Sequence, residues 1–279
     1  MNKQAYDESK IKHNLSKIKN ILMILSGKGG VGKSTVTSNL AVSLSQRNYK
    51  VGILDIDFHG PSIPKILGLE DERPKPTEKG ISPILYNSNL KIMSMGFLIS
   101  DKDSPVIWRG PLKMAAIKQL IGDVEWGDLD FLLVDLPPGT GDEPLSIAQI
   151  ITDCNGAIVV TTPQDVALNS VRKSIKFVKQ MNIPIIGIIE NMSGFNCPHC
   201  GKKIDIFKKG GGLEASKDFN INFLGKIPLD PKIVLSGDSG VPFADGKNNS
   251  DSSKAFYEIV KNIEKIVIKE KIKKWFLRH

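Results

Sequence analysis

With 279 residues, 41% hydrophobic and 24% charged, the chain has the makeup of a globular protein with one sizeable core, and a single main domain is expected. The segment Met1 to Asn20 is polar and lysine-rich, and no run approaches the roughly 20 apolar residues of a membrane span, so neither a secretory leader nor a spanning helix can be read and a cytoplasmic chain is expected. Much of the net charge of +8 is concentrated between Lys261 and His279, where seven lysines and arginines face only Glu264 and Glu270; the rest of the chain carries an excess of three, so no nucleic-acid partner is expected.

In chain order, residues 1–20 read as a short polar extension, 21–260 as the main domain and 261–279 as a basic helix or tail. Apolar runs recur at Ile21 to Leu25, Val51 to Leu54, Phe131 to Val134, Ala157 to Val160 and Ile185 to Ile189. Runs this short and without alternation suit strands buried on both faces of a parallel sheet. Helical patterns lie between them at Ser34 to Gln46, Pro111 to Ile121 and Asp165 to Met181. The alternation predicts a doubly wound α/β fold, a mostly parallel sheet flanked by helices, with ligands at the carboxyl ends of the strands. Pro74, Pro76, Gly80 and Pro83 interrupt the stretch from Glu70 to Asn89, which reads as an exposed excursion. Asn191 to Gly212 is a second irregular stretch.

After the first strand comes Gly27-Lys28-Gly29-Gly30-Val31-Gly32-Lys33-Ser34-Thr35, a P-loop in its expected setting between strand and helix. The glycines let backbone N–H groups curl around phosphate oxygens, and the helix that begins near Lys33 aims its positive end at the same anion. Lys33 is expected on the β and γ phosphates of ATP and the Ser34 hydroxyl on magnesium. The second strand ends in Asp55 and Asp57, placed where a sheet of this class presents its ligands; Asp55 is expected to assist magnesium. The third run ends in the Walker B aspartate, Asp135, expected to hold magnesium through water, and is followed by a switch loop, Leu136 to Asp142, whose Gly139 backbone can sense the γ phosphate.

Three cysteines cannot form a disulfide framework. Cys154, beside apolar neighbours, reads as a buried or half-buried core residue. Cys197 and Cys200 have metal-ligand spacing, and on residue chemistry alone they suit half of a four-thiolate iron–sulfur site or a structural zinc site equally. A redox pair is a third reading, though the loop does not open a helix in a small βαβ domain. His199 reads as a loop residue.

The extra lysine, Lys28, makes the loop a deviant Walker A motif that resembles the P-loop NTPase group of MinD, ParA and nitrogenase iron protein. The resemblance implies a nucleotide-sandwich homodimer in which Lys28 reaches the partner's phosphates. It also implies that Asp57 orients the attacking water and that Asn191 contacts adenine. Further segments, Asp57-Phe58-His59-Gly60-Pro61-Ser62, Trp108-Arg109-Gly110-Pro111, Asp135 to Asp142, and Cys197-Pro198-His199-Cys200 with Gly210, Gly211 and Gly212 beyond, are similar to the Mrp/ApbC type of iron–sulfur cluster carrier. That likeness spans roughly Asn20 to Lys261. It implies a slow ATPase, catalysed by Lys28, Lys33 and Asp57. It also implies a [4Fe-4S] cluster between Cys197 and Cys200 of two subunits, handed between cluster donors and apoproteins. Some relatives carry an additional N-terminal domain or four-cysteine cluster; Met1 to Asn20 is too short for the first and has no cysteine for the second, so a minimal version is expected. The alternative is a MinD/ParA-like positioning ATPase, with zinc on the cysteines and Ile268, Ile272 and Trp275 on one face of the basic tail meeting a membrane. A terminal helix packed on the body is the plainer reading of that tail.

Overall fold

The computed structural model describes residues 3–99, 110–152, 154–197, 199–245 and 250–276. Trp108, Arg109 and Pro198 of the resemblance motifs lie outside them.

The five apolar runs form strands within a residue of the expected bounds: β1 (Ile21–Leu25), β2 (Val51–Asp55), β5 (Phe131–Asp135), β6 (Gly156–Thr161) and β7 (Ile185–Glu190). Nearly every residue of these strands is buried, because helices cover both faces of the sheet. Three further strands complete it: β3 (Ile84–Asn87), β4 (Leu90–Ser94) and β8 (Phe223–Lys226). The order is β8-β7-β6-β1-β5-β2-β4-β3, parallel except for β3, which pairs antiparallel with β4 at the edge. The excursion read from Glu70 to Asn89 is therefore shorter than expected. Residues 75–76 and 81–82 form a minimal two-stranded pair, and from Ile84 the chain has rejoined the sheet. The prolines stop regular structure only as far as Pro83.

The predicted helices appear as α2 (Lys33–Ser45), α4 (Gly110–Gly122) and α6 (Asp165–Gln180). Others are α3 (Ile63–Ile66), α5 (Asp142–Ile150), α7 (Gly211–Phe219), α8 (Pro231–Asp238) and α9 (Asp251–Phe276). The polar N-terminal segment is itself mostly helical, as α1 (Lys3–Ser16), and lies against α4. Its Ile11 and Leu15, one turn apart, and Ile18 beyond it are buried in the main core. Asn14 donates its Nδ2 to the carbonyls of Ile121, Gly122 and Val124 at 2.8–3.1 Å, meeting backbone acceptors that the end of α4 leaves open. At the other terminus residue 261 falls inside α9, not at its start. The Phe256, Ile259, Val260, Ile263 and Val267 side chains of α9 are buried, Ile268 is exposed, and the side chains of Ile272 and Trp275 lie outside the described residues. Among the described residues no helix is long and apolar enough to cross a membrane.

Candidate functional site

The P-loop, Asp55 and Asp57, the loop after Asp135, Asn191 and the cysteine segment each lie at or beyond the carboxyl end of a strand, so the sheet gathers them along one edge. The P-loop follows β1 and runs straight into α2. Gly30 and Gly32 have φ of 77°, a conformation that suits glycine, and a Cβ on Gly30 would meet nothing within 4 Å, so the space beside the loop is open there. Gly27 and Gly32 serve a different end. A Cβ on Gly27 would lie 2.4 Å from the Ser170 carbonyl oxygen, and one on Gly32 would lie 2.4 Å from Asn191 Nδ2, so the loop is pressed against α6 on one side and the end of β7 on the other.

Asp135 is the hub. It is wholly buried, and its Oδ2 accepts from Lys33 Nζ at 2.5 Å and from Ser34 Oγ at 2.7 Å, while Oδ1 accepts from Thr37 Oγ1 at 2.6 Å. A carboxylate stripped of water is stable only when its lone pairs are met in this way. Thr37 was not foreseen, although it stands one helical turn after Lys33 and could have been found by that spacing. Asp55 faces Asp135 directly across the β2–β5 pairing. Burial, and secondly the charge of Asp135, push its carboxyl up to about 7, against the lowering effects of a hydrogen bond from Ser94 at 2.8 Å and of the Lys33 charge. Ser94 lies at the end of β4, a strand not read in the sequence. Two neighbouring carboxylates and a serine hydroxyl form an oxygen set that suits a hard divalent cation, and the ammonium group beside them suits phosphate.

Asp57 is buried, and its Oδ1 accepts from the backbone of His59 at 3.0 Å and of Gly60 at 3.2 Å, which shapes the turn after β2. That turn is tied to the switch loop's far end. Lys113 bonds to Glu143 at the start of α5 and lies 3.4 Å from His59 Nε2. In the switch loop the Gly139 N–H donates to the Ser26 carbonyl at 2.9 Å, so sensing a phosphate there would mean exchanging this bond. Lys28 is half-buried and donates to Gln164 Oε1 of its own chain at 3.3 Å.

Asn191 follows β7 and donates its Nδ2 to the Val31 carbonyl at 2.9 Å. It stands in the wall of a cleft of about 310 Å³ together with Gly32, Thr35, Pro228, Leu229 and Ile233. The cleft opens beside the P-loop, is lined partly by apolar side chains, and has the size and character for a nucleotide base. Its α8 wall carried no readable signal, because none of the residues of α8 is buried.

The cysteine pair sits on a hairpin between β7 and α7. Phe195–Asn196 pairs antiparallel with Lys203–Ile204, and the turn between them is closed by Cys197 N–H to the Lys202 carbonyl and Gly201 N–H to the Cys197 carbonyl. Cys197 is half-buried and Cys200 exposed. Backbone N–H groups of Cys200 and then His199, and the Cys200 side chain, hold the Cys197 thiol below its ordinary pKa, which favours the thiolate that a metal requires. Cys154 lies at the opposite edge of the sheet, half-buried, with its Sγ against the carbonyls of Ile21 and Gly156 where β1 and β6 begin. Among the described residues there is no group of three or more His, Cys, Asp or Glu side chains that could hold a metal ion.

A family profile described as the NUBPL iron-transfer P-loop NTPase (ParA) matches residues 17–264. The iron-sulfur cluster carrier protein of Methanocaldococcus jannaschii is 53% identical over 262 residues, covering 93% of this chain and 90% of the relative. Among solved structures, the nucleotide-binding protein of Archaeoglobus fulgidus in complex with ADP superposes with a TM-score of 0.77 at 39% identity, covering 89% of this chain and 96% of that one. The Pyrococcus furiosus cell-division ATPase MinD superposes with a TM-score of 0.62 at 25% identity, covering 89% and 99%.

Proposed function

The chain belongs to the NUBPL iron-transfer P-loop NTPase family, and from that premise we propose that it is an ATP-hydrolysing iron–sulfur cluster carrier that holds a [4Fe-4S] cluster between two copies of itself and passes it to apoproteins. The carrying observation is the incomplete ligand set. One chain offers two thiols on the hairpin, the third cysteine is at the far edge of the sheet, and among the described residues no group of three or more His, Cys, Asp or Glu side chains could hold a metal ion. A four-thiolate site then needs a second pair, which a two-fold axis through the hairpins supplies. Such a shared, shallow site suits cargo that must leave. Structural zinc held by one chain would need two more ligands beside the two thiols, and among the described residues no group of three or more such side chains is assembled.

At the nucleotide end the residues fit Mg-ATP. The open face of the glycine loop would receive the phosphates, the cleft beside Asn191 the base, and Ser34, Asp135 and Asp55 the magnesium, directly or through water. Bound magnesium would neutralise charge on the β and γ phosphates. Lys33 would stabilise charge on the transferring phosphoryl group, Lys28 would do so from a partner subunit, and Asp57 would orient the attacking water. Because phosphoryl transfer depends on positioning and charge neutralisation more than on a strong base, a carboxylate in that place suffices.

Anaerobic reconstitution with iron and sulfide, followed by absorption spectra and metal analysis, tests the reading. The expected result is one four-iron cluster per dimer, lost in Cys197→Ser and Cys200→Ser but retained in Cys154→Ser. Tightly bound zinc that iron does not displace, or a cluster kept by the Cys197→Ser/Cys200→Ser double variant, overturns the carrier function and leaves the nucleotide site untouched.

A further inference from the structure

The nucleotide cleft and the cysteine hairpin meet at the end of β7, and the residue between them has no part in the chemistry above. Glu190 is fully buried. Its Oε1 accepts from Ser193 Oγ at 2.5 Å and from the Gly210 N–H at 3.1 Å, and its Oε2 accepts from the Gly212 N–H at 2.6 Å. Ser193 is the root from which the hairpin leaves the sheet. Gly210 and Gly212 are the root by which it returns and enters α7. One carboxylate thus closes the base of a segment of about twenty residues that carries both thiols at its far end. The fit is tight, since a Cβ on Gly212 would lie 3.1 Å from Glu190 Cβ and 3.2 Å from Oε2. On its other side the Glu190 backbone is locked in the sheet, paired with Thr161 and Lys226, and the next residue is Asn191, which bonds to the P-loop.

We propose that Glu190 is the positioning residue of the cysteine hairpin, fixing where Cys197 and Cys200 stand relative to the nucleotide cleft. The physical reason lies in the backbone at the roots. Met192, Gly194 and Gly210 all have positive φ, a path that short-range preferences alone do not hold, and the hairpin has few buried side chains to anchor it. An ionised carboxylate accepts at every lone pair, so it can gather three donors from both roots at once. Glutamine cannot do so, because its NH₂ would face at least one N–H or O–H.

The proposal rests on the carrier reading only in its last arm, since the first uses cluster-free protein. Hydrogen exchange of the full chain is expected to show amides over 193–212 opening about tenfold faster or more in Glu190→Ala, with β1 amides and ADP affinity unchanged within about twofold. Glu190→Gln should be intermediate, and it decides the matter if the alanine variant does not fold. Gly212→Ala, which presses a methyl on the same carboxylate, should give the same pattern and add little on top of Glu190→Ala. In anaerobically reconstituted protein, Glu190→Gln should lose iron to a chelator several-fold faster than the unmodified chain. Hairpin exchange unchanged in Glu190→Gln, or raised equally in β1, overturns the proposal. A chain that takes up no cluster sinks the carrier function alone, and the exchange result still decides the role of Glu190.

Discussion

At the residue scale the site is organised by buried charge. Lys33 and Asp135 form an ion pair with 6% and 0% of their side chains exposed, so removing either leaves a costly unpaired group. Lys33→Gln keeps a donor toward Asp135 while deleting the charge that would meet the γ phosphate. ATP hydrolysis should fall by about 10²-fold or more in this variant, with its circular dichroism unchanged, and near-normal turnover would remove Lys33 from the proposed chemistry. Asp55 makes a second prediction, for metal-free protein in the presence of a chelator. Its carboxyl is raised from 3.8 to about 7 by burial and by Asp135, so the fold favours the protonated form. Its stabilising contribution is complete below about pH 4 and declines as pH rises through 7. Asp55→Asn removes that decline, and its stability relative to the unmodified chain should climb between pH 4 and 8, by up to roughly 4 kcal/mol. Urea unfolding at several pH values measures it; a pH-independent difference would mean that Asp55 is ionised throughout.

At the element scale, α1 belongs to the body. Its apolar face is buried by Ile11 and Leu15, each contributing about 1.5–3 kcal/mol of hydrophobic stabilisation, and its polar Asn14 meets three carbonyls at the end of α4. A mean composition that is lysine-rich hides both facts. Leu15→Ala should cost about 2–5 kcal/mol and Asn14→Ala about 1–3 kcal/mol, measured by chemical denaturation, since one opens a cavity and the other strands buried acceptors. Losses under half a kcal/mol for both would return residues 3–16 to the status of an appendage. The same reasoning applies to α9, whose apolar side chains as far as Val267 are largely covered by the body, so a membrane-binding face would have to begin beyond them.

At the scale of the whole molecule, the proposed activity requires a second copy. Lys28 bonds to Gln164 of its own chain at 3.3 Å, a contact worth about 1 kcal/mol that a partner's phosphate would readily replace. Lys28→Ala should therefore keep the fold and ADP binding but lose ATP-dependent dimerisation and most hydrolysis. Sedimentation with a slowly hydrolysed ATP analogue checks this, and an unchanged dimer with unchanged turnover would rule out action across the interface.

What the sequence by itself determined was whatever depends on neighbours along the chain. The five buried strands, the helices α2, α4 and α6, the P-loop with Lys33 and Ser34, and the spacing of Cys197 and Cys200 are local patterns with short-range causes: apolar runs, helical periodicity, glycines and ligand spacing. The two-sided burial of β1 and β5 made them legible as uniform apolar runs, whereas β4 is interrupted by the half-buried Lys91, and β8 is broken by Gly225. Tertiary structure alone decided the rest, because it concerns groups far apart in sequence. Only folding shows that α1 closes the core, that Ser94 bonds to Asp55 of the carboxylate pair, that Cys154 is at the wrong edge to join the other thiols, and that Glu190 draws together residues twenty positions apart. A buried polar group must find its partner wherever the fold brings one, and no spacing rule announces where that is.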